Sequence, residues 1–533
     1  MLSNRDFDRH VSARLLDFFS EKTAWQRTLW TSGTILNLRE LLEASEQVAL
    51  GVVSQSALDD CAHAISITAQ RDYGIGDEPR RKQLCNLLRT DDRKNTLAAQ
   101  GVQYRSIRLI QSEITKDYLK RWSTTVDLTT PPIKAERVAR TIASHLLDCG
   151  FHPQYLHRWW TFKTKHEPGT KSLAAILEEA NQLASEPMKE FEALLVFTQA
   201  PSVDPQKTQP AQWMTNKAVS EWLRSHGFDV SGLRQKGGFR LNVTARDVQT
   251  VAETAAETAS RLVSRVNLGS PNYNRLSVMD KVWLRGEPEP IALPIPRRRV
   301  EVHSLQRENR LYDLRQFGII DAAMELVEPL DAQPPSAAVA GGWATIEALL
   351  TGPGDRDQRV LAGDRMAALV ACSFPRAELT TLSYELERQG GVIGEELNSC
   401  ASNKDRCEIL VRLVEAKTLP AFKRDSDNAA LRRLTSLLLE PNRVLRDIES
   451  HIASCFRRLY RNRNIVLHGG RTDAVGLRAC LRIAAPLVGA GLDRIAHAAY
   501  TEGLEPLELA ARARLRLDAL NSAAATKPTD LLS

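Results

Sequence analysis

The chain has 533 residues, which is more than one hydrophobic core usually supports and predicts about three domains. Its hydrophobic fraction of 43% and charged fraction of 26% are typical of a folded globular protein and exclude a disordered chain. The formal net charge of +6 permits a nucleic-acid partner without requiring one.

The cysteines and apolar runs predict a cytoplasmic protein. None of the eight cysteines forms a C-x-x-C pair, which argues against a zinc ribbon or a redox motif. The charged N-terminus has no apolar segment of the secretory type. The longest uncharged apolar run, 483–492, is far shorter than the roughly 20 residues that span a bilayer. We therefore expect reduced thiols in the cytoplasm and no membrane partner.

The N-terminal region, residues 1–130, is predicted to be helical. Segments 36–49 and 98–119 carry apolar residues every three or four positions, which is the helical pattern. The pair Pro131-Pro132 marks the end of this region.

Residues 131–328 are predicted to form an α+β region. Parts of it, 133–200 and 213–303, can be aligned as two related units, although a chance similarity is the alternative. In both units an amphipathic helix stops at a glycine, Gly150 or Gly227, and a strand follows, at 191–198 or 239–245. Asp247 is the expected N-cap of a helix that runs to Val266. Further strands are predicted at 276–284 and 299–303.

The remaining chain is predicted to hold a linker, a bundle and a tail. Prolines, small residues and two glycines predict a flexible linker over 329–342. Residues 343–520 show helical periodicity throughout and predict an all-helical bundle. One long helix over 443–468 carries an apolar stripe, and Gly469-Gly470 can end it. Residues 521–533 are predicted to be disordered. The fold class is therefore mainly α.

One stretch in the bundle has the chemistry to cut RNA without a metal. RNA carries its own nucleophile, the 2′-hydroxyl, so cleavage needs proton transfer and positive charge on the phosphate. Histidine transfers protons near neutrality, and arginine offers planar donors that match phosphate. His468, Arg463 and Asn464 supply the imidazole, the cation and an orienting amide, with Arg461 nearby. The scheme needs no carboxylate cluster for Mg²⁺, so we expect neither metal nor cofactor.

Spacing alone does not identify this site. Five residues along a regular helix turn the side chains about 140° apart, so the helix must end or distort between Arg463 and His468. A site shared by two chains of a dimer is the alternative. The same spacing recurs at Arg5–His10, Arg140–His145, Arg298–His303 and Arg446–His451. The alternative to a catalytic role is that Arg463 and His468 only stabilise a helix C-terminus, through its free carbonyl groups and its dipole.

The C-terminal bundle resembles a HEPN domain, the helical family named for higher eukaryotes and prokaryotes nucleotide-binding. Arg463-Asn464-x-x-x-His468-Gly469 resembles the ribonuclease motif of many members. The segment from Trp343 through Glu347 to Leu350 resembles the opening helix of the Apea-like branch. The resemblance covers about a third of the chain. It implies a metal-independent endoribonuclease with a dimeric composite site, an RNA substrate, and a role in antiviral defence or as a toxin.

The resemblance also implies roles for individual residues. Arg463 and His468 would carry catalysis with Asn464 in support, and Glu347 would orient the site or act structurally. A toxic nuclease requires gating, so we expect a phage-derived trigger or an inhibitory partner, with residues 1–328 sensing it. Some HEPN domains only bind nucleotides or partners. A non-catalytic dimerisation or nucleotide-binding adaptor is therefore the alternative, and a nucleic-acid-binding regulator is a third reading.

Two other segments combine features of nucleic-acid contacts. Aromatic and basic residues interleave over 157–166, where bases could stack and phosphates could bind. The alternative is a tryptophan pair in the core beside a solvated basic face. Three consecutive arginines over 297–299 could contact phosphate, or could be ordinary surface. The candidates are Arg158, Trp159, Lys163, Lys165, Arg297, Arg298 and Arg299.

Overall fold

The computed structural model shows a mainly helical protein with one small antiparallel sheet. The structure describes residues 4–89, 97–126, 134–166, 172–201, 210–269, 275–294, 297–313, 318–355, 360–520 and 527–532. In that part of the chain, no helix is both long enough and apolar enough to cross a membrane.

In the described residues of the N-terminal part, nine α-helices form the fold. Several begin at side-chain caps, as where Ser54, Asp77 and Ser172 accept hydrogen bonds from the first turns of their helices. The helices α1–α9 span Asn4–Phe19, Thr34–Ala49, Gln55–Ala69, Glu78–Leu87, Val102–Thr115, Tyr118–Val126, Ala135–Asp148, Pro153–His166 and Leu173–Ser185.

The N-terminal helical part extends further than the predicted boundary at residue 130. Leu15 of α1, Ile142 of α7 and Trp160 of α8 are buried in one apolar core. The helices from α7 to α9 therefore pack with the N-terminal helices, and the first strand begins only at Lys189. Pro131 and Pro132 lie outside the described residues.

The sheet has five antiparallel strands in the order β2-β3-β1-β4-β5, with a helix on each face. In the central strand, Leu194 and Val196 pack toward α10, while Leu195 and Phe197 pack toward α11. This alternation explains the continuous buried run of β1, because both faces of the strand are covered. The elements are β1 (Lys189–Gln199), β2 (Trp213–Met214), α10 (Asn216–Ser225), β3 (Gly237–Ala245), α11 (Val248–Gly269), β4 (Ser277–Leu284) and β5 (Ile291–Ala292).

The predicted pair of related units agrees with the structure only locally. Gly150 and Gly227 both have positive φ, 96° and 85°, and both follow a helix end. However, α7 packs in the N-terminal core, whereas α10 packs on the sheet. The strands β1 and β3 are neighbours in one sheet. Asp247 does cap α11, since its Oδ1 accepts from the N–H of Thr250 at 2.8 Å.

Ten α-helices form the C-terminal part of the fold, counted over the ranges that the structure describes. They enclose a large apolar core around Trp343, Phe456 and Leu487, and a smaller one around Leu382 and Leu410. The helices α12–α21 span Ser304–Arg307, Ile319–Ala332, Pro335–Leu350, Val360–Gln389, Gly391–Asn398, Asn403–Glu415, Asp425–Leu439, Pro441–Leu467, Leu477–Glu502 and Pro506–Ala519.

The predicted flexible linker over 329–342 is instead the end of α13 and the start of α14. These two helices pack closely at glycines: a Cβ on Gly341 would lie 2.6 Å from the carbonyl oxygen of Leu326. A Cβ on Gly342 would lie 3.0 Å from a methyl group of Leu330. The small residues therefore allow close packing rather than flexibility. Pro335 occupies the first turn of α14, where its missing N–H is not needed.

The tail also differs from the prediction of disorder. Leu531 and Leu532 are buried, with 1% and 3% of their surface exposed, and they join the large C-terminal core. A short 3₁₀ turn over Pro528–Asp530 precedes them. Residues 521–526 lie outside the described residues.

Candidate functional site

The long helix α19 places the candidate motif at its C-terminal end. Leu445, Ile448, Ile452 and Phe456 form the predicted apolar stripe and are buried. Further along, Ile465 and Val466 are buried and fix the last turn. The polar residues on either side of these two, Arg463, Asn464 and His468, are left at least partly exposed.

The helix ends as the glycines predict. His468 is the C-cap residue, and its N–H donates to the carbonyl oxygen of Asn464 at 2.9 Å. The N–H of Gly469 donates to the same oxygen at 3.2 Å. Gly470 then has a φ of +65°, the left-handed conformation that glycine adopts most readily.

The three motif residues are joined by hydrogen bonds. Nη1 of Arg463 donates to Nε2 of His468 at 2.9 Å and to Oδ1 of Asn464 at 3.0 Å. The guanidinium therefore bridges the helix end, although the two positions project in different directions on a regular helix. Because arginine only donates, the acceptor Nε2 carries no proton, and the imidazole in this contact is the neutral form protonated on Nδ1.

Arg463 differs from the other arginines of α19 in its charge environment. Its partners, an amide oxygen and a neutral ring nitrogen, leave its charge uncompensated, and no described carboxylate forms an ion pair with it. Each of the other five arginines of the helix pairs with at least one carboxylate: Arg443 with Glu440, Arg446 with Asp518, Arg457 with Asp364, and both Arg458 and Arg461 with Glu40.

Two other arginine and histidine pairs at the same spacing, Arg140–His145 and Arg446–His451, do not form a hydrogen bond of this kind. Arg140 pairs with Glu136, while burial lowers the pKa of His145 to about 4. Arg446 pairs with Asp518, and burial lowers the pKa of His451 to about 4 as well. The helix end, rather than the spacing, brings the arginine and histidine of the motif together.

Arg461 and Glu347 were predicted to support the site, and their surroundings differ from those of Arg463, Asn464 and His468. Arg461 is buried, and its Nη2 lies 3.4 Å from Oε2 of Glu40 on α2, so it faces the N-terminal helices. Glu347 is half-buried on α14, and its carboxylate forms no hydrogen bond or ion pair with a described residue. Trp343 is a core residue, with its ring centroid 4.8 Å from that of Tyr460.

The aromatic and basic segment is helix α8, and it faces both core and solvent. Trp160 is fully buried and donates to the backbone oxygen of Ser12 at 3.2 Å, while the half-buried Trp159 packs on the same core. Arg158 and Lys165 are exposed. Lys163 lies 3.9 Å from Glu179. The tryptophans therefore serve packing, and the cations are on the outer face.

The arginine triplet is largely structural, and the strand predicted at 299–303 is not formed. The backbone N–H groups of Arg298, Arg299 and Val300 all donate to Oδ1 of Asp331, at 3.1, 2.8 and 3.1 Å. Three successive N–H groups of this kind form a nest, a concave set of donors that could bind an anion. Here the carboxylate of Asp331 occupies it. The guanidiniums of Arg298 and Arg299 donate to backbone oxygens, and Arg297 is exposed.

The sequence predicted a helix over 36–49, which is α2, but not that this helix packs behind the motif. Glu40, Glu43 and Gln47 of α2 are buried, and together they contact α19 and the loop over 469–476. Their spacing of three and four residues puts them on one helix face. Polar residues at such positions normally predict a solvated face, so only the charged partners more than four hundred residues away explain their burial.

A cleft in the described part of the chain lies away from the motif. It has a volume of about 540 Å³ and lies between α1, α8 and the start of α18, and none of the motif residues lines it. Within the described ranges, no group of three or more histidine, cysteine, aspartate or glutamate side chains could hold a metal ion.

Comparison with protein-family models, curated proteins and solved structures found no match to this chain. The functional conclusion therefore depends on the geometry of the motif.

Proposed function

We propose that the C-terminal bundle is a metal-independent endoribonuclease of the HEPN type, with Arg463 and His468 as its catalytic residues. The observation that carries the proposal is the half-buried guanidinium of Arg463, which has no described carboxylate partner and contacts Nε2 of the His468 imidazole. A free cation beside a proton acceptor is the combination that a phosphodiester with an adjacent hydroxyl requires. The resemblance of the motif to HEPN ribonucleases points to the same reaction.

The proposed reaction uses the 2′-hydroxyl of RNA as the nucleophile. Nε2 of His468 takes the hydroxyl proton as the 2′-oxygen bonds to phosphorus. Arg463 turns from the imidazole to the phosphate oxygens and stabilises their growing charge, while Asn464 holds one of the two side chains in place. The bond from phosphorus to the 5′-oxygen breaks, that oxygen receives a proton, and the product carries a 2′,3′-cyclic phosphate.

A second proton carrier and a control mechanism complete the proposal. One His468 acts as base, and the His468 of a second chain in a homodimer acts as the acid that protonates the leaving oxygen. A nuclease of this kind damages its own cell, so we propose a gated toxin or anti-phage effector in the cytoplasm. Its trigger is a phage-derived molecule or the loss of an inhibitory partner.

The test is cleavage of RNA in EDTA by the purified protein. The substrate is an oligoribonucleotide, and matched versions carry a single 2′-deoxy nucleotide at each cleaved position. The wild type is compared with His468→Ala and Arg463→Ala. His303→Ala is the control, because His303 is an exposed histidine at the same spacing from an arginine.

The proposal expects cleavage that both motif variants lose and that His303→Ala retains. It also expects a cyclic phosphate on the product and no cutting at the 2′-deoxy position. Cleavage that survives both motif variants would refute the assignment of the site. If the wild type does not cut RNA and its overexpression is harmless, the bundle is better described as a binding or dimerisation module.

A further inference from the structure

The loop after the motif, residues 469–476, lies against one face of the N-terminal helix α2. Gln47 is 2% exposed, and its Oε1 lies 3.0 Å from where a Cβ on Gly469 would be. This oxygen has no hydrogen-bond partner among the described residues. At the other end of the loop, Gly476 packs so closely on the carboxylate of Glu40 that a Cβ would overlap it.

Glu43 is the central contact between α2 and this loop. Its two carboxylate oxygens accept from the N–H of Val475 at 3.3 and 3.1 Å. Oε1 also lies 3.6 Å from Nη2 of Arg471, in an ion pair whose glutamate is buried. One carboxylate therefore holds both the middle and the end of the loop that begins next to His468.

The same face of α2 also supports the helix that carries the motif. Oε1 of Glu40 accepts from Nε of Arg458 at 2.9 Å, and its Oε2 lies 3.4 Å from Arg461. All three side chains are buried. The last turns of α19 and the loop that follows are thus held by neighbouring residues of one helix, which contact Arg458 and Arg461 rather than Arg463.

We propose that Glu43 is a positioning residue for the Arg463–His468 site, through its hold on the loop that follows the histidine. This inference rests on the proposed function and deepens it. The N-terminal helices then complete the active site, so that a bundle without α2 lacks a fixed position for His468. Control by the N-terminal region would act by moving α2 and releasing the loop.

The electrostatics of Glu43 agree with this role. Burial raises the pKa of its carboxyl, and the nearby charges of Glu40 and Asp473 act in the same direction. The Val475 N–H and the Arg471 guanidinium oppose that effect by binding the ionised form. The buried charge of Glu43 would be poorly compensated if either Val475 or Arg471 moved away. The carboxylate therefore holds both residues, and with them the loop, in place.

The experiment compares Glu43→Ala and Glu43→Gln in the full-length protein. The alanine removes both the acceptor and the charge, and the glutamine keeps an acceptor for Val475. Glu46→Ala is the comparison variant, because Glu46 is on the same helix and accepts from Tyr104, and it acts on the loop only through its charge near Arg471. The readouts are the kcat and KM for RNA, the imidazole NMR signal of His468, and hydrogen exchange of amides 469–476. His468→Gln identifies the imidazole signal.

We expect Glu43→Ala to shift the His468 signal, to speed exchange in the loop and to lower kcat by roughly 10–100-fold with a smaller change in KM. Glu43→Gln should change each quantity less, and Glu46→Ala, which removes no hydrogen bond to the loop, should change each quantity least. If Glu43→Ala does not fold, the glutamine variant decides by the same readouts. An unchanged His468 signal and kcat would overturn the inference, and so would faster cleavage, which would mean that α2 inhibits the site.

The NMR and exchange readouts separate this inference from the proposed function. If the wild type does not cleave RNA and its overexpression is harmless, but Glu43→Ala still shifts the His468 signal, the positioning contact is real and the reaction is wrong. If the wild type cleaves RNA and both Glu43 variants match it in every readout, the reaction stands and the positioning role fails.

Discussion

Nη1 of Arg463 and Nε2 of His468 lie 2.9 Å apart at the end of α19, and this contact fixes the direction of the hydrogen bond. The guanidinium has no lone pair to offer, so the imidazole accepts and its proton resides on Nδ1. The ring nitrogen that faces Arg463 is therefore the basic one. A phosphate that attracts the guanidinium away from His468 would free this nitrogen for proton transfer.

The first prediction concerns the shape of the cation. Arg463→Lys keeps the positive charge but loses the planar fork that can contact both phosphate and imidazole. We expect RNA cleavage to fall by roughly 10–100-fold, with little change in the free energy of unfolding because the site is on the surface. Steady-state kinetics and chemical denaturation measure the two quantities. Arg446→Lys on the same helix is the control, and equal loss in both variants would show a helix-wide effect.

A second prediction tests the close contact between Gly476 and Glu40. Glu40 cannot easily move aside, because it is buried and holds Arg458 and Arg461. Gly476→Ala should therefore lower the free energy of unfolding by about 1–3 kcal/mol, the usual cost of overpacking. Urea denaturation gives this value. Gly354→Ala provides the comparison, since a Cβ there meets nothing within 4 Å. Equal stability of the two variants would contradict the packing.

The third prediction concerns pH and the buried histidine of α7. Burial lowers the pKa of His145 to about 4, whereas its ordinary value is 6.5. Between these two values the unfolded chain binds the proton and the folded protein does not, so stability falls as the pH falls from 6.5 to 4. The full effect is about 3 kcal/mol.

Denaturation across that pH range tests this prediction by its slope. His145→Gln should reduce the slope of the unfolding free energy against pH but not abolish it, because His451 has a similarly lowered pKa, about 4. His63→Gln changes an exposed histidine and should keep the slope of the wild type. A wild-type slope in the His145 variant would show that other groups cause the acid sensitivity.

A fourth prediction concerns the C-terminal leucines. Leu531→Ala should lower the free energy of unfolding by about 2–5 kcal/mol, because the side chain is buried in the large core. Leu515→Ala on α21 removes a side chain that is 70% exposed and should change stability by less than about 0.5 kcal/mol. Thermal and urea denaturation of the two variants measure the difference. Comparable stability would mean that the last residues do not pack in the core.

The sequence predicted the parts of the fold whose signals are local. The apolar stripe of α19 and the glycines after His468 act through contacts with near neighbours, so their pattern identifies both the helix and its end. Gly341 and Gly342 were misread, because glycine permits both a flexible linker and close helix packing. Composition does not distinguish these two uses, and only the neighbouring α13 shows which one applies.

The site was predicted less completely, because its supports are distant in sequence. Arg461 and Arg463 are two residues apart and chemically identical, yet the first is buried against Glu40 and the second is half-buried without a described carboxylate partner. Nothing local tells them apart. The burial of Glu43 could not be predicted either, because it depends on a loop more than four hundred residues later in the sequence. Whether the site cuts RNA stays a prediction.

The burial of Leu531 and Leu532 also bears on how the protein is made. The ribosome releases α19 before α20, α21 and these leucines, all of which share a core with it. Domains generally fold as their segments emerge, so the N-terminal helices can form while the bundle is still unfinished. The helix of the motif is therefore fully packed only after these later segments have been made, so the structure around His468 is completed after that of the N-terminal helices.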